Sequence, residues 1–286
     1  MTLVLSCITE DVVYQVSDRR LTFFQPAGKL MDDHTNKAVF VEGRAAFGYT
    51  GISQVNGMRT DNWLFDLVSR LGTPNVGTVV RGLRDEATKA FRRMHVATRY
   101  KRHAFQCVGW FLNNPANMSE FEPGILTIHN ALDEQGEWLA YAQPEFAIRE
   151  DFPKVRGNQF HLSMVGMSCS AGERAYVRSV MRKCAHRAQN RERAILAGLV
   201  HAIRWLSLRY EPNSPVGRNL MGLMVPKTAA EEVLTTGRAS LTLDSVGFGA
   251  SFFYYPEHGG GNVYGPHFVG CGGGFQHFTF VRGSPG

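Results

Sequence analysis

Thr2-Leu3-Val4-Leu5-Ser6-Cys7-Ile8, Thr9-Glu10-Asp11 and Val12-Val13-Tyr14-Gln15-Val16-Ser17-Asp18 follow one another at the start of the chain. Two apolar, β-branched runs around a short polar turn read as a β-hairpin. Such a hairpin returns Asp18 to the neighbourhood of Thr2. Thr2 directly follows Met1, and methionine is removed when the next residue is small. Removal would leave one residue carrying both a hydroxyl nucleophile and an α-amine, a base with a pKa of roughly 7.7–8.0.

The elements that follow extend this opening. After a loop containing Pro26-Ala27-Gly28, the runs Lys37 to Val41 and Ala45 to Tyr49 flank Glu42-Gly43-Arg44 as a second hairpin. Trp63, Leu64, Leu67, Val68 and Leu71 then recur at helical spacing up to Gly72-Thr73-Pro74, and a second helix is expected from Val76 to His95. Strands are expected at Phe105 to Leu112, Gly124 to Ala131 and Glu137 to Tyr141. Helices return at Ala171 to Ala188 and Glu192 to Leu208, and a strand at Asn219 to Val225. Strand groups separated by helix pairs imply two sheets packed together with helices outside, an α+β class rather than a doubly wound alternation.

Composition bounds the function. The 286 residues are 44% hydrophobic, enough for a large core. No run approaches the roughly 18 apolar residues of a membrane span, and no signal-peptide pattern precedes the first strand, so a cytoplasmic protein without membrane contact is expected. The five cysteines, Cys7, Cys107, Cys169, Cys184 and Cys271, are scattered without a CxxC pair, against a disulfide framework or zinc ribbon. The net charge of +6 gathers partly on Arg174, Arg178, Arg182 and Lys183, which recur opposite Val177, Val180, Met181 and Cys184. This is the solvated face of an amphipathic helix; with no base-reading groups beside the charge, no nucleic-acid partner is expected.

An amine-activated hydroxyl needs a cation nearby, a group that holds the cation, and backbone donors for an oxyanion. Lys37 and Asp18 are the candidates for the first two, and Gly48 in Gly48-Tyr49-Thr50-Gly51 for the third.

These residues resemble the N-terminal-nucleophile hydrolases, and among them the proteasome β-type subunits and their bacterial relatives. The likeness rests on Thr2 heading a strand, Ser17-Asp18-Arg19-Arg20, Asn36-Lys37-Ala38-Val39-Phe40 and Gly48-Tyr49-Thr50-Gly51, and it extends to about Val225. Gly166-Met167-Ser168-Cys169-Ser170 resembles the family's Gly-Ser-Gly-Ser segment, with Met167 and Cys169 as departures. Glu211-Pro212-Asn213-Ser214 falls where the family has an acid and a serine, with Glu for Asp and Pro215 for Gly.

The resemblance implies a four-layer αββα sandwich of two antiparallel sheets between helix pairs, self-association into a ring or open coil, and cleavage of a peptide or other amide without cofactor or metal. It implies Thr2 as nucleophile and base, Lys37 lowering the nucleophile's pKa, Asp18 orienting Lys37, Gly48 as oxyanion donor, and Ser168, Glu211 and Ser214 positioning the amine. Leu30, Met31, Ala46 and Tyr49 are candidates for the substrate pocket. No residue identifies an ATPase partner. A catalytically silent scaffold subunit of the same fold is the rival reading.

The domain is expected to span 1–247, followed by a Gly- and aromatic-rich extension over 248–286 that is loosely ordered or docked through its aromatics. Val233-Leu234 and Ala239 to Leu243 are further strand candidates. His258, His267, Cys271 and His277 fit no standard metal-ligand spacing.

Overall fold

Burial on both faces explains the first elements. In a computed structural model, β1 (Leu3–Ile8) and β2 (Val12–Asp18) pair antiparallel with Val4 across from Ser17. The Thr9 hydroxyl closes their turn by donating to the Val12 carbonyl at 2.8 Å. The structure describes residues 2–22, 30–32, 35–41, 43–71, 75–114, 117–187, 189–236, 251–255, 263–264, 267–270, 273–275 and 279–280. Every residue of β1 and β2 is buried, so both strands are covered on both faces.

The second hairpin is β3 (Ala38–Val41) with β4 (Ala45–Thr50), Ala38 lying across from Gly48. The first helix pair is α1 (Thr60–Leu71) and α2 (Val76–Arg93); Asn75 caps α2 by accepting from Gly77 and Thr78 N–H. Next come β5 (Ala104–Asn114), β6 (Asn117–His129), β7 (Ala147–Asp151) and β8 (His161–Gly166). The second helix pair is α3 (Ala171–Ala185) and α4 (Arg191–Arg209), α3 opening on a Ser170/Glu173 capping box. Then follow β9 (Leu220–Pro226), α5 (Lys227–Thr236), β10 (Ser251–Tyr255), β11 (His267–Gly270) and β12 (Gly273–Phe275).

One sheet runs β8-β1-β2-β9-β10 and the other β7-β6-β5-β4-β3-β11-β12. Three apolar layers result. Leu3, Leu5, Tyr14 and Val16 of the first sheet pack on Val177, Met181, Leu199 and Ile203 of α3 and α4. Phe47, Tyr49, Phe105 and Cys107 of the second sheet pack on Leu64, Val68, Val80 and Leu83 of α1 and α2. Between the sheets lie Ile8, Val13, Phe40, Val108, Trp110, Met221 and Leu223. The molecule is therefore the four-layer αββα sandwich that the resemblance implied. Each fully buried large apolar side chain in these layers contributes about 1.5–3 kcal/mol, which is why strands lacking surface alternation hold their places. On α3 the apolar stripe faces inward while Arg178, Arg182 and Lys183 are exposed, as the charge pattern predicted.

Three expectations are corrected. Glu137 to Tyr141 is not a strand: it folds back on the preceding turn, with Leu139 N–H bonded to the Ala131 carbonyl at 2.8 Å and the Glu137 N–H to Asp133 Oδ1 at 2.8 Å. Its place in the sheet is taken by β7, an edge strand of mostly exposed residues whose sequence carries no apolar alternation. Val233-Leu234 belongs to α5, because Pro226 ends β9 and the adjacent Ala229 and Ala230 turn into the inter-sheet core. Third, the second sheet is not wholly antiparallel, since β11 runs parallel to β3. The candidate strand Ala239 to Leu243 lies outside the described residues.

From the extension, β10 lengthens the first sheet at its β9 edge, and β11 and β12 lengthen the second. His267 is fully buried, 3.4 Å from an Asp61 carboxylate oxygen. Burial raises the Asp61 pKa, but hydrogen bonds from His267 and Arg59 outweigh it, and the net direction is down. His258, Cys271 and His277 lie outside the described residues. No described helix is long and apolar enough to cross a membrane.

Candidate active site

Thr2 immediately precedes β1, and three contacts hold it and the residue after it. The Met167 N–H donates to the Thr2 carbonyl at 3.0 Å, and the Thr50 hydroxyl donates to the same oxygen at 3.2 Å. The hairpin register brings Leu3 beside Asp18, whose Oδ1 accepts the Leu3 N–H at 2.8 Å. The residue itself is only 4% exposed.

Asp18 ends β2 as a fully buried carboxylate. Its second oxygen accepts the N–H groups of Arg20 at 3.1 Å and Gly217 at 3.1 Å. Such charge-assisted bonds compensate an ion that burial would otherwise penalise by several kcal/mol. They also aim the carboxylate at Lys37.

Lys37 stands just before β3, placed by the Asn36 side chain, which accepts the Ala38 N–H at 3.1 Å. Its ammonium is fully buried, 2.6 Å from Thr2 Oγ1 and 3.4 Å from Asp18 Oδ2, and it also donates to the Arg20 carbonyl. An ammonium with its three donors engaged in this way has no free lone pair to take a proton. Its donors are thus directed at the Thr2 hydroxyl, the Asp18 carboxylate and the Arg20 carbonyl.

Gly48 occupies a different place from the one expected. Along β4, period-two alternation sends Phe47 and Tyr49 toward the helices and Ala46, Gly48 and Thr50 toward the other sheet. A Cβ on Gly48 would lie 2.9 Å from Gln15 Oε1 and 3.1 Å from Val4 Cγ1. Gly48 is in register with Ala38 on one side and Gln106 on the other, so its N–H lies within a sheet that has strands on both sides. The group of this segment that reaches Thr2 is the Thr50 hydroxyl, two residues further on, where β4 ends and Gly51 adopts φ +116°. Thr50 was part of the motif read in the sequence; strand alternation is the signal that singles it out.

Gly166 is the closest backbone approach at the site. At φ +122°, a Cβ there would lie 1.8 Å from the Thr2 carbonyl oxygen, so no side chain fits. Its own carbonyl accepts from the Trp138 indole N–H. Beyond it Ser168 is exposed and lines a cleft of about 210 Å³ with Trp138, Met167, Glu137 and Arg174. Ser170, not Ser168, caps α3. Cys169 beside it is buried, and burial, with Glu173 nearby, pushes its thiol up to about 11.

The remaining candidates face elsewhere. The Ser214 hydroxyl donates to the Val216 carbonyl at 3.0 Å and lies 3.3 Å from Ser207 Oγ. Its carbonyl accepts from the Arg20 guanidinium at 3.1 Å. Glu211 is exposed and pairs with Arg218 at 2.7 Å. What this loop brings to Asp18 is the Gly217 N–H, a group no side-chain pattern announces. Of the pocket candidates, Ala46 is buried between the sheets and Tyr49 under the helices. The Leu30 and Met31 side chains lie outside the described residues.

No protein-family model matches the chain, and no curated protein is similar to it in sequence. Among solved structures it is similar to eukaryotic HslV from Trypanosoma brucei, with 13% identity and a TM-score of 0.42 over 78% of this chain and 99% of that one. It is also similar to a Gly-1 mutant of Anbu from Hyphomicrobium sp. strain MC1, with 11% identity and a TM-score of 0.44 over 79% of this chain and 83% of that one.

Proposed function

We propose that the chain is a proteasome-like threonine amidohydrolase that cleaves a peptide or other amide bond with Thr2 after removal of Met1. The observation that carries this reading is the 2.6 Å contact between the buried Lys37 ammonium and Thr2 Oγ1, with Asp18 behind the lysine. A structural ion pair alone does not require a hydroxyl at the chain start as its third member.

In this reading the Thr2 α-amine, freed from Met1 and carried by the same residue as the hydroxyl, takes the hydroxyl proton. Oγ1 bonds to the carbonyl carbon, and the tetrahedral oxyanion collapses as the carbon–nitrogen bond breaks. The Thr2 ammonium returns its proton to the departing amine. Water, deprotonated by the same α-amine, then opens the acyl ester, releasing the acid and restoring the Thr2 hydroxyl. Lys37 stabilises charge on Oγ1 throughout, an electrostatic effect strengthened by burial.

We assign the oxyanion to the Thr50-Gly51 end of β4 rather than to Gly48. The Thr50 bond to the Thr2 carbonyl and the sheet-bound position of Gly48 support this. Action in the cytoplasm and self-association into a ring or open coil complete the reading and rest on the sequence resemblance.

A second reading, a silent scaffold subunit, is favoured by one observation: the Ser214 hydroxyl and Glu211 carboxylate are engaged with Val216 and Arg218 rather than with Thr2. Intact-mass measurement separates the two. Loss of Met1, followed by covalent addition of an epoxyketone or β-lactone at Thr2, is the expected result. Retained Met1, or no adduct under forcing conditions, selects the scaffold.

A further inference from the structure

We infer that His103 is a positioning residue whose ring nitrogen holds the Gly51-Ile52 segment that follows β4, and through it the Thr50 end of the strand that bonds Thr2. This rests on the hydrolase reading for its catalytic consequence, though not for its geometry.

His103 is fully buried in an apolar cage, its ring 4.4 Å from that of Phe105, 5.1 Å from Phe91 and stacked at 5.9 Å on Tyr49. Nδ1 accepts the Ile52 N–H at 3.0 Å. The ring proton therefore sits on Nε2, which is buried without a hydrogen-bond partner. A phenylalanine would suit the cage and leave no buried donor unpaired, so the ring's polarity is explained by the bond to Ile52 and by nothing else around it. Burial also pushes the His103 pKa down to about 3, so the ring remains a neutral acceptor at neutral pH.

The bond fixes the Gly51–Ile52 peptide, and further bonds fix the two peptides that follow. The Thr60 hydroxyl donates to the Ile52 carbonyl at 2.7 Å, and the Thr60 N–H donates to the Ser53 carbonyl at 2.9 Å. Gly51 is pressed against the same residue: a Cβ there would lie 2.8 Å from His103 Nδ1 and 2.5 Å from the Arg102 carbonyl. His103 is itself anchored, its N–H donating to Asn130 Oδ1 at 2.9 Å while Asn130 Nδ2 donates to the Lys101 carbonyl at 2.9 Å. A continuous chain of contacts therefore runs from Asn130 through His103 and Ile52 to Gly51, one residue from the hydroxyl that holds the Thr2 carbonyl. The hydrogen bonds of His103 run to Ile52 and Asn130 rather than to Thr2, so it acts through the segment after β4.

The test uses the full chain lacking Met1 and a β-lactone as probe, with amide hydrogen exchange as a readout independent of chemistry. In H103F the cage volume is kept and the acceptor lost. Ile52 exchange should accelerate about tenfold, and the maximal rate of Thr2 acylation should fall at least about tenfold with half-saturation unchanged. In H103N the amide oxygen replaces Nδ1, and both quantities should stay within about threefold of wild type. Unchanged Ile52 exchange in folded H103F, or an unchanged acylation rate, overturns the inference. If H103F does not fold, H103Q, whose amide sits at the Nε2 position, carries the same expectations and the same refutation. Wild-type protein that shows no adduct defeats the hydrolase reading instead, while the exchange measurement still judges the contact.

Discussion

Lys37 Nζ lies 2.6 Å from Thr2 Oγ1 while the same buried ammonium faces Asp18 at 3.4 Å. Lys37→Ala removes the charge but leaves Asp18 with three backbone N–H donors, from Leu3, Arg20 and Gly217. The fold should survive with a loss of about 3 kcal/mol, at the lower end for a broken buried pair. Acylation of Thr2 by a β-lactone should fall by about 10²–10³-fold. Intact mass and urea melts check both, and wild-type labelling would remove Lys37 from the mechanism.

Gly166→Ala should be among the most damaging small substitutions in the chain. Its Cβ meets the Thr2 carbonyl at 1.8 Å and its φ is +122°, so both the backbone and β1 must shift. A destabilisation of at least about 3 kcal/mol is expected, together with loss of Thr2 labelling even in protein that remains folded. A melt within about 1 kcal/mol of wild type would show that the strand end relaxes freely.

Stability should fall in mild acid because of His103. Its folded pKa near 3 lies below the ordinary 6.5, so the folded chain refuses a proton that the unfolded chain accepts. The contribution is complete above pH 6.5 and is lost as the pH drops through the window from 6.5 toward 3. The slope from this one group is up to about 1.4 kcal/mol per pH unit. Urea melts from neutral pH down to about 4 should show a shallower decline in H103F; identical slopes in the two proteins would assign acid sensitivity to other groups.

His267→Ala tests how the C-terminal segment is attached. His267 is buried against Asp61, and β11, which it begins, runs parallel to β3, the strand that follows Lys37. Losing the pair should raise amide exchange at Val39 and Val41 by about tenfold or more and speed proteolysis beyond Tyr255. Asp61 keeps its bidentate contact with Arg59 at 3.1 Å, so α1 should remain formed. Unchanged exchange at β3 would mean that strand pairing alone holds the segment.

Much of the site was legible because its information is local. Two apolar runs and a short turn place Thr2 and Asp18 together whatever surrounds them; Lys37 opens a strand of the other sheet, and its approach is decided by how the two sheets pack. Gly48 was misplaced for a reason that is equally physical. A glycine in a motif does not reveal which way its N–H points; that depends on the strands pairing on either side, here β3 and β5. Ser214 and Glu211 sit in a loop whose hydrogen bonds are chosen by Val216 and Arg218, again beyond any local pattern. Strand β7 escaped notice because an edge strand needs no apolar face of its own.

The sequence by itself determined the hairpins, the helix faces and the return of Asp18 to the neighbourhood of Thr2, because periodicity and turn chemistry act over a few residues. Tertiary structure decided what lies between distant segments: the Gly217 N–H on Asp18, the closeness of Gly166 to Thr2, the support of Ile52 by His103, and the entry of β10 and β11 into the sheets. These are contacts of backbone groups and ring nitrogens across long stretches of chain. Their partners are fixed by register and packing, which exist only once the four layers have closed.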